Sequence, residues 1–178
     1  MRPAVRTWID LASKTARNET LPEKKTRFWG GERGLALPVL LEKLDRETDP
    51  LSPENTLVVA AGLLNGLAFS GTCRYGVYAK SPLTGALGES EAGGTFGPAM
   101  KAQGIDALVL EGASEKPVYL WVENGEVSVR DASDLWGKTN RETYEALTAR
   151  HGRISALLIG PAGERLVRYA CVINDLRH

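Results

Sequence analysis

Read for apolar and polar alternation, the chain divides into short strands and a few amphipathic helices. Ala4–Leu11 and Thr15–Leu21 flank Ser13-Lys14, which predicts an opening hairpin. Over Leu35–Leu44 the period changes: Leu37, Leu40, Leu41 and Leu44 fall at i, i+3, i+4 and i+7, the spacing of a helix with one apolar stripe. Pro38 fits that helix in its first turn, where a backbone N–H has no partner to lose. The turn-formers Asp49–Asn55 follow, and then Leu57–Ala61, an apolar run that reads as a buried strand. Arg74–Lys80 and Ile105–Glu111 are further strands.

The second half carries the clearest local signals. Val118, Leu120 and Val122 alternate, Asn124-Gly125 follows, and Val127 and Val129 alternate back. Asn-Gly accepts the positive φ of a type I′ turn, so this is a hairpin. Thr139-Asn140-Arg141-Glu142 is a capping-box pattern, opening a helix with Tyr144 and Leu147 on one face and Gly152 at its end. Ile154–Ile159 and Leu166–Ile173 read as strands. Strand runs broken by short helices, without regular β–α–β alternation, make the fold class α+β.

Composition narrows the function classes. With 178 residues, 43% hydrophobic and 25% charged, the chain suits a single globular domain over 1–178. Lys+Arg and Asp+Glu both number 22, so no net field draws it toward nucleic acid or an anionic membrane. No apolar run has the length of a membrane helix, and the first residues lack a secretory pattern, so a cytoplasmic protein is expected. Cys73 and Cys171 form no C-x-x-C pair and read as reduced thiols.

The segment Lys80–Gly97, KSPLTGALGESEAGGTFG, is rich in glycine and runs into a helical segment. Glycine permits positive φ and close backbone approach to a ligand. Thr95, or the amides of Phe96 and Gly97, would then receive an anionic group. The competing reading of Gly93-Gly94 is a tight turn before a helix that buries Phe96 and Met100. Neither the Walker pattern nor the dinucleotide fingerprint is present. Arg74, amid Gly71-Thr72-Cys73-Arg74-Tyr75-Gly76, offers a planar fork for a phosphate or pterin edge; its bland alternative is a surface ion pair. His151 is placed to cap the C-terminal end of the capping-box helix. His178 carries no readable role. No nucleophile–base set, metal-ligand pattern or carboxylate pair emerges, so a ligand-cradling domain is expected, with no catalytic residue.

Larger blocks then stand out: FWGGERGLA (Phe28–Ala36), DPLSPEN (Asp49–Asn55), CRYGVYAKSPLTG (Cys73–Gly85), AGGTFGPAMKAQGIDALVLEG (Ala92–Gly112), EKPVYLW (Glu115–Trp121), RDASDLWGK (Arg130–Lys138) and IGPAGERLVRYACVIND (Ile159–Asp175). In this order and spacing they resemble the N-terminal domain of the tungsten-dependent aldehyde:ferredoxin oxidoreductases, over nearly the whole chain from about Ile9.

The resemblance implies a base of two packed, mostly antiparallel β-sheets with short helices, on which a bis-pyranopterin tungsten (or molybdenum) cofactor sits. It implies that Arg74 contacts the pterin system, and that Glu91-Ala92-Gly93-Gly94 runs beside the pterin and a magnesium ion bridging its phosphates. The family commonly has asparagine where this chain has Glu91, so Glu91 would serve magnesium through its backbone. Gly62-Leu63-Leu64-Asn65-Gly66 stands where Gly-Pro-Leu-Thr-Gly is usual. Helical domains with the cysteines of a 4Fe–4S cluster and the acid–base residues would lie beyond His178. Those domains, ferredoxin as electron acceptor, and a second copy in a homodimer are the expected partners. Two other readings remain: the cofactor-binding part of a related tungsten enzyme reducing activated aromatic acids, and a stand-alone non-catalytic module.

Overall fold

The computed structural model describes residues 2–176. In chain order the elements are β1 (Val5–Asp10), β2 (Thr15–Thr20), α1 (Glu23–Trp29), α2 (Arg33–Lys43), β3 (Leu57–Ala61), β4 (Tyr75–Lys80), β5 (Leu87–Ala92), α3 (Phe96–Ala102), β6 (Ala107–Glu111), β7 (Val118–Glu123), β8 (Glu126–Asp131), α4 (Asn140–His151), β9 (Leu157–Leu158), α5 (Gly160–Glu164) and β10 (Ile173–Asn174). The α+β class read from the pattern holds.

One six-stranded sheet, ordered β2-β1-β6-β3-β4-β5, dominates; β7-β8 and β10-β9 form small two-stranded sheets. All neighbours are antiparallel except β1 and β6. Central strands β3 and β6 are apolar on both sides because both faces of the sheet are covered. One face holds Trp8, Val58, Ala60, Tyr78 and Val109 against Leu35, Ala36, Val39 and Leu40 of α2. The other holds Ile9, Val59, Ala61, Tyr75 and Leu108 against Met100 of α3 and Leu120, Val122, Val127 and Val129 of the β7–β8 hairpin. A third cluster, with Leu135, Leu147 and Leu158, seats α4 beside β9.

Both strong local signals take the expected form. Asn124 and Gly125 carry φ of 53° and 80° in the β7–β8 turn. Thr139 accepts from the Glu142 amide while the Glu142 carboxylate accepts from the Thr139 amide, a reciprocal capping box, and Gly152 ends the helix.

Four readings need correction. Helix α2 begins at Arg33, so Pro38 lies in its second turn and removes one internal hydrogen bond. Its buried face is Leu35, Ala36, Val39 and Leu40, which leaves Leu41 80% exposed. Leu166–Ile173 is not a strand: α5 and an irregular segment precede the two-residue β10. The glycine-rich stretch is strand over Leu87–Ala92, since β5 pairs with β4 from Lys80↔Leu87 to Tyr75↔Ala92. Helix α1 carried no signal that the apolar pattern registered. His178 lies outside the described residues.

Candidate functional site

The β4–β5 ladder sets the geometry. Its last pair is Tyr75↔Ala92, so the next step along each strand brings Arg74 beside Gly93. A Cβ built on Gly93 would stand 3.4 Å from the Cys73 sulfur, which confirms how close the two segments run. The Arg74 carbonyl is fixed by the Gly62 amide at 3.0 Å and by the Asn65 side-chain amide. Its guanidinium side is exposed. Among the described residues no carboxylate forms an ion pair with it, whereas Arg33 is engaged by Glu89, with Glu91 at 3.8 Å. The structure therefore does not show the bland ion pair for Arg74.

Gly93 and Gly94 leave the end of β5 and turn outward. Gly94 has φ of 92° and is exposed, and Gly93 is half-buried. The carbonyl of Gly93 points inward, accepting from the Asn174 side-chain amide at 2.6 Å. Asn174 is 2% exposed, and a Cβ on Gly94 would stand 2.8 Å from its amide nitrogen. Gly93 and Gly94 thus follow Ala92, whose methyl packs toward Tyr75, as a stretch without side chains next to exposed Arg74.

Thr95 is committed elsewhere. Its hydroxyl donates to Asp175 and lies 2.8 Å from the Ser155 hydroxyl, while the other Asp175 oxygen accepts from the Ala156 amide at 2.7 Å. A side chain tied to a carboxylate is a poor receiver of an anion, which corrects that part of the reading. Phe96 is half-buried against Tyr75, ring centroids 5.3 Å apart, and Met100 is buried as expected. Burial pushes the Tyr75 hydroxyl up to about 12; the Asp175 charge adds to this and the Asn174 amide opposes it. Tyr75 is therefore a neutral phenol under the loop at neutral pH.

The Glu91 side chain shares its sheet face with Gly76 and Tyr78, near Arg33, while Ala92 faces the opposite side with Tyr75. The carboxylate thus reaches toward Arg33 at the start of α2, on the face that Arg74, one step beyond Tyr75, also shares. Glu32, the residue before α2, has φ of 54°. Burial first, then the charge of Glu91, raises its pKa, with Arg33 and Arg74 pulling the other way.

The remaining candidates lie apart. The His151 ring stacks on Trp121 at 3.9 Å and its Nε2 meets the Tyr119 hydroxyl at 3.1 Å, so it leans on β7 rather than capping the last carbonyls of α4. Burial, then Arg130 and Arg150, lowers its pKa. Cys73 is half-buried and Cys171 exposed, and both are free thiols. No group of acidic, histidine or cysteine side chains suited to a metal occurs among the described residues, and none of their helices is long and apolar enough to cross a membrane. A cavity of about 300 Å³ behind Asn65, lined by Leu35, Ala61, Leu63 and Leu64, holds Lys101 and Asp106 already paired with each other.

Residues 6–178 match a family model described as "Aldehyde ferredoxin oxidoreductase, N-terminal domain". The chain belongs to that family. It is 42% identical over 169 residues to the tungsten-containing aldehyde ferredoxin oxidoreductase of Pyrococcus furiosus, covering 94% of this chain and 28% of that protein. It is 29% identical over 187 residues to the WOR-like subunit of an aliphatic sulfonate oxidoreductase from the same organism, covering 96% of this chain and 30% of the other. Among solved structures, a chain of the active-site complex BamBC of benzoyl coenzyme A reductase superposes with a TM-score of 0.93 at 34% identity. That match covers 98% of this domain and 27% of the BamBC chain. The domain therefore spans about three-tenths of the relatives it matches, all of them oxidoreductases or parts of one.

Asn174 and Asp175, which hold Gly93 and Thr95, carry no signal in the sequence. Each acts through partners far away in the chain, and neither spacing nor composition marks such a contact.

Proposed function

We propose that residues 1–178 form the cofactor-binding N-terminal domain of a longer oxidoreductase, and that the surface made by Arg74, Ala92, Gly93 and Gly94 is the floor for a bis-pyranopterin tungsten or molybdenum cofactor. The observation that carries this reading is exposed Arg74, without an ion-pair partner among the described residues, on the strand step that runs beside the Gly93-Gly94 turn. A flat polyanion needs a close main-chain approach, an amide donor and an available cation, and the residues present fit it in those three respects. Arg74 binds a pterin or phosphate edge through its fork. Ala92, Gly93 and Gly94 let the ring system lie against the backbone. Glu91 would serve a magnesium ion through its carbonyl, because its carboxylate lies 3.8 Å from Arg33.

When bound, the metal–pterin pair supplies the two-electron chemistry that takes an aldehyde and water to a carboxylic acid, two electrons and two protons. This chain's residues bind and orient; none is assigned to proton transfer. A 4Fe–4S cluster, an acid–base group and the passage of electrons to ferredoxin belong to the further domains of the whole protein. Exposed Phe28, Trp29, Leu63, Leu64, Leu67 and Phe69 are apolar surface that such domains would cover.

A second reading, part of an enzyme reducing activated aromatic acids, is favoured by the TM-score of 0.93 to the benzoyl coenzyme A reductase complex. Both readings use the same floor. Elemental analysis of the purified full-length protein decides the shared claim: tungsten or molybdenum near one per protein is expected, and neither metal would overturn it. The chain by itself is expected to show no aldehyde-dependent dye reduction.

A further inference from the structure

We propose that Asn174 is a positioning residue that holds the Gly93–Gly94 peptide so that the Gly94 amide N–H faces the ligand side of the floor. The inference rests on the floor assigned above and adds a residue that the loop's own sequence does not reveal.

Asn174 lies in β10, eighty-one positions along the chain from Gly93, and its side-chain amide donates to the Gly93 carbonyl at 2.6 Å. In a trans peptide the carbonyl of one residue and the N–H of the next point in opposite directions. Fixing the Gly93 carbonyl on buried Asn174 therefore turns the Gly94 N–H the opposite way, away from β10, at a residue that is itself exposed. Among the described residues no hydrogen bond takes the Gly94 amide as donor, so it is free for a ligand. Left alone, a diglycine would sample many orientations of that peptide, since glycine has the largest conformational freedom to lose. The clamp removes that freedom in advance, which is how a binding site keeps its ordering cost low.

The anchor is itself held. Asn174 is 2% exposed and pairs with Leu157 across the β10–β9 ladder. The next residue, Asp175, secures Thr95 and Ser155 with one oxygen and the Ala156 amide with the other. Both sides of Gly94 are consequently tied to the same two-residue segment, one through Gly93 and one through Thr95. The fit is close enough to exclude any side chain at Gly94, whose Cβ would stand 2.8 Å from the Asn174 nitrogen. The Asn174 Oδ1 is buried without a partner, so the donating half of the amide makes the recorded contact.

The deciding variant is Asn174→Leu, which is close to asparagine in shape and has no group that can donate. In the ¹⁵N-labelled chain, relaxation measurements should give Gly94 an order parameter of about 0.85 in the wild type, falling below about 0.6 in the variant. Amide signals of the β7–β8 hairpin should stay unchanged and so report an intact fold. In the full-length protein the same substitution should lower tungsten or molybdenum retention about tenfold, the scale of losing a supporting contact behind a binding group. Asn174→Ser, which restores a donor, should recover part of both. An unchanged order parameter, or a wild-type Gly94 already mobile, overturns the positioning role. A wild-type full-length protein without either metal would sink the cofactor reading instead, while the relaxation result still decides the clamp.

Discussion

Tyr78 lies across Gly76, with its ring where a side chain at 76 would have to be. A Cβ on Gly76 would stand 2.2 Å from the Tyr78 hydroxyl oxygen and 2.5 Å from the ring carbon that bears it. Tyr78 is fully buried between the sheet and α2, so the ring has nowhere to swing. Gly76→Ala should therefore cost about 1–3 kcal/mol through overpacking, seen as a lower urea midpoint at unchanged slope. The hydroxyl is buried with no partner among the described residues. Tyr78→Phe removes that orphan and should leave stability unchanged or raise it by about 1 kcal/mol.

Asp106 is the most heavily used carboxylate in the interior. At 3% exposure it accepts from the Val5 amide at 2.8 Å, pairs with Lys101 and reaches Arg2 at 2.8 Å. It thereby ties the start of β1 to the loop that enters β6. Asp106→Ala leaves the largely buried Lys101 ammonium and the Val5 N–H without their acceptor. Breaking one side of a buried pair costs about 3–5 kcal/mol. The loss should appear in urea unfolding, and pairing it with Lys101→Met should recover a large part of it, because the stranded charge goes too.

What the sequence revealed of all this follows the range of the interactions. The Asn124-Gly125 turn and the Thr139–Glu142 box were readable because each is decided within a few residues, by positive φ or a reciprocal cap. The α2 face was misjudged because its leucines are spaced for two stripes. The choice between them is made by the sheet, which takes Leu35, Ala36, Val39 and Leu40. Leu166–Ile173 alternates like a strand but finds no ladder partner before Ile173. Arg74 and the diglycine stood out through glycine chemistry and family resemblance, and the β4–β5 register sets them side by side; their use as a floor is the proposal. Asn174 was not, because its bond to Gly93 exists only once the two ends of the domain have met.

Glu32 predicts a pH dependence opposite to that of an ordinary surface carboxylate. Burial and the Glu91 charge raise its pKa above the usual 4.5, so the folded state disfavours its ionised form. A raised acid contributes stability fully below about pH 4.5 and loses it as pH rises through the folded value. At pH 7 the ionised Glu32 is a net cost that glutamine would not carry. Glu32→Gln should thus raise the urea midpoint at pH 7, with the gain shrinking toward zero below pH 4.5. A gain that grew on acidification would show that the carboxylate is held by a favourable partner instead.

Arg74 is where fold and proposed function separate most cleanly. Its backbone carbonyl is used by Gly62 and Asn65, but its exposed side chain supports no contact that the fold needs. Substitution should leave the urea midpoint within about 0.5 kcal/mol of wild type. The cofactor should tell a different story. Lysine keeps the charge but loses the planar fork, and glutamine loses both. Charge-assisted hydrogen bonds are worth about 1.5–3 kcal/mol each, so Arg74→Gln should reduce tungsten or molybdenum retention in the full-length protein by about ten- to a hundredfold. Arg74→Lys should fall between the two, and its shortfall from wild type measures how much of the grip comes from the fork rather than from charge alone. Equal retention in all three proteins would remove Arg74 from the floor and return the diglycine to a plain turn.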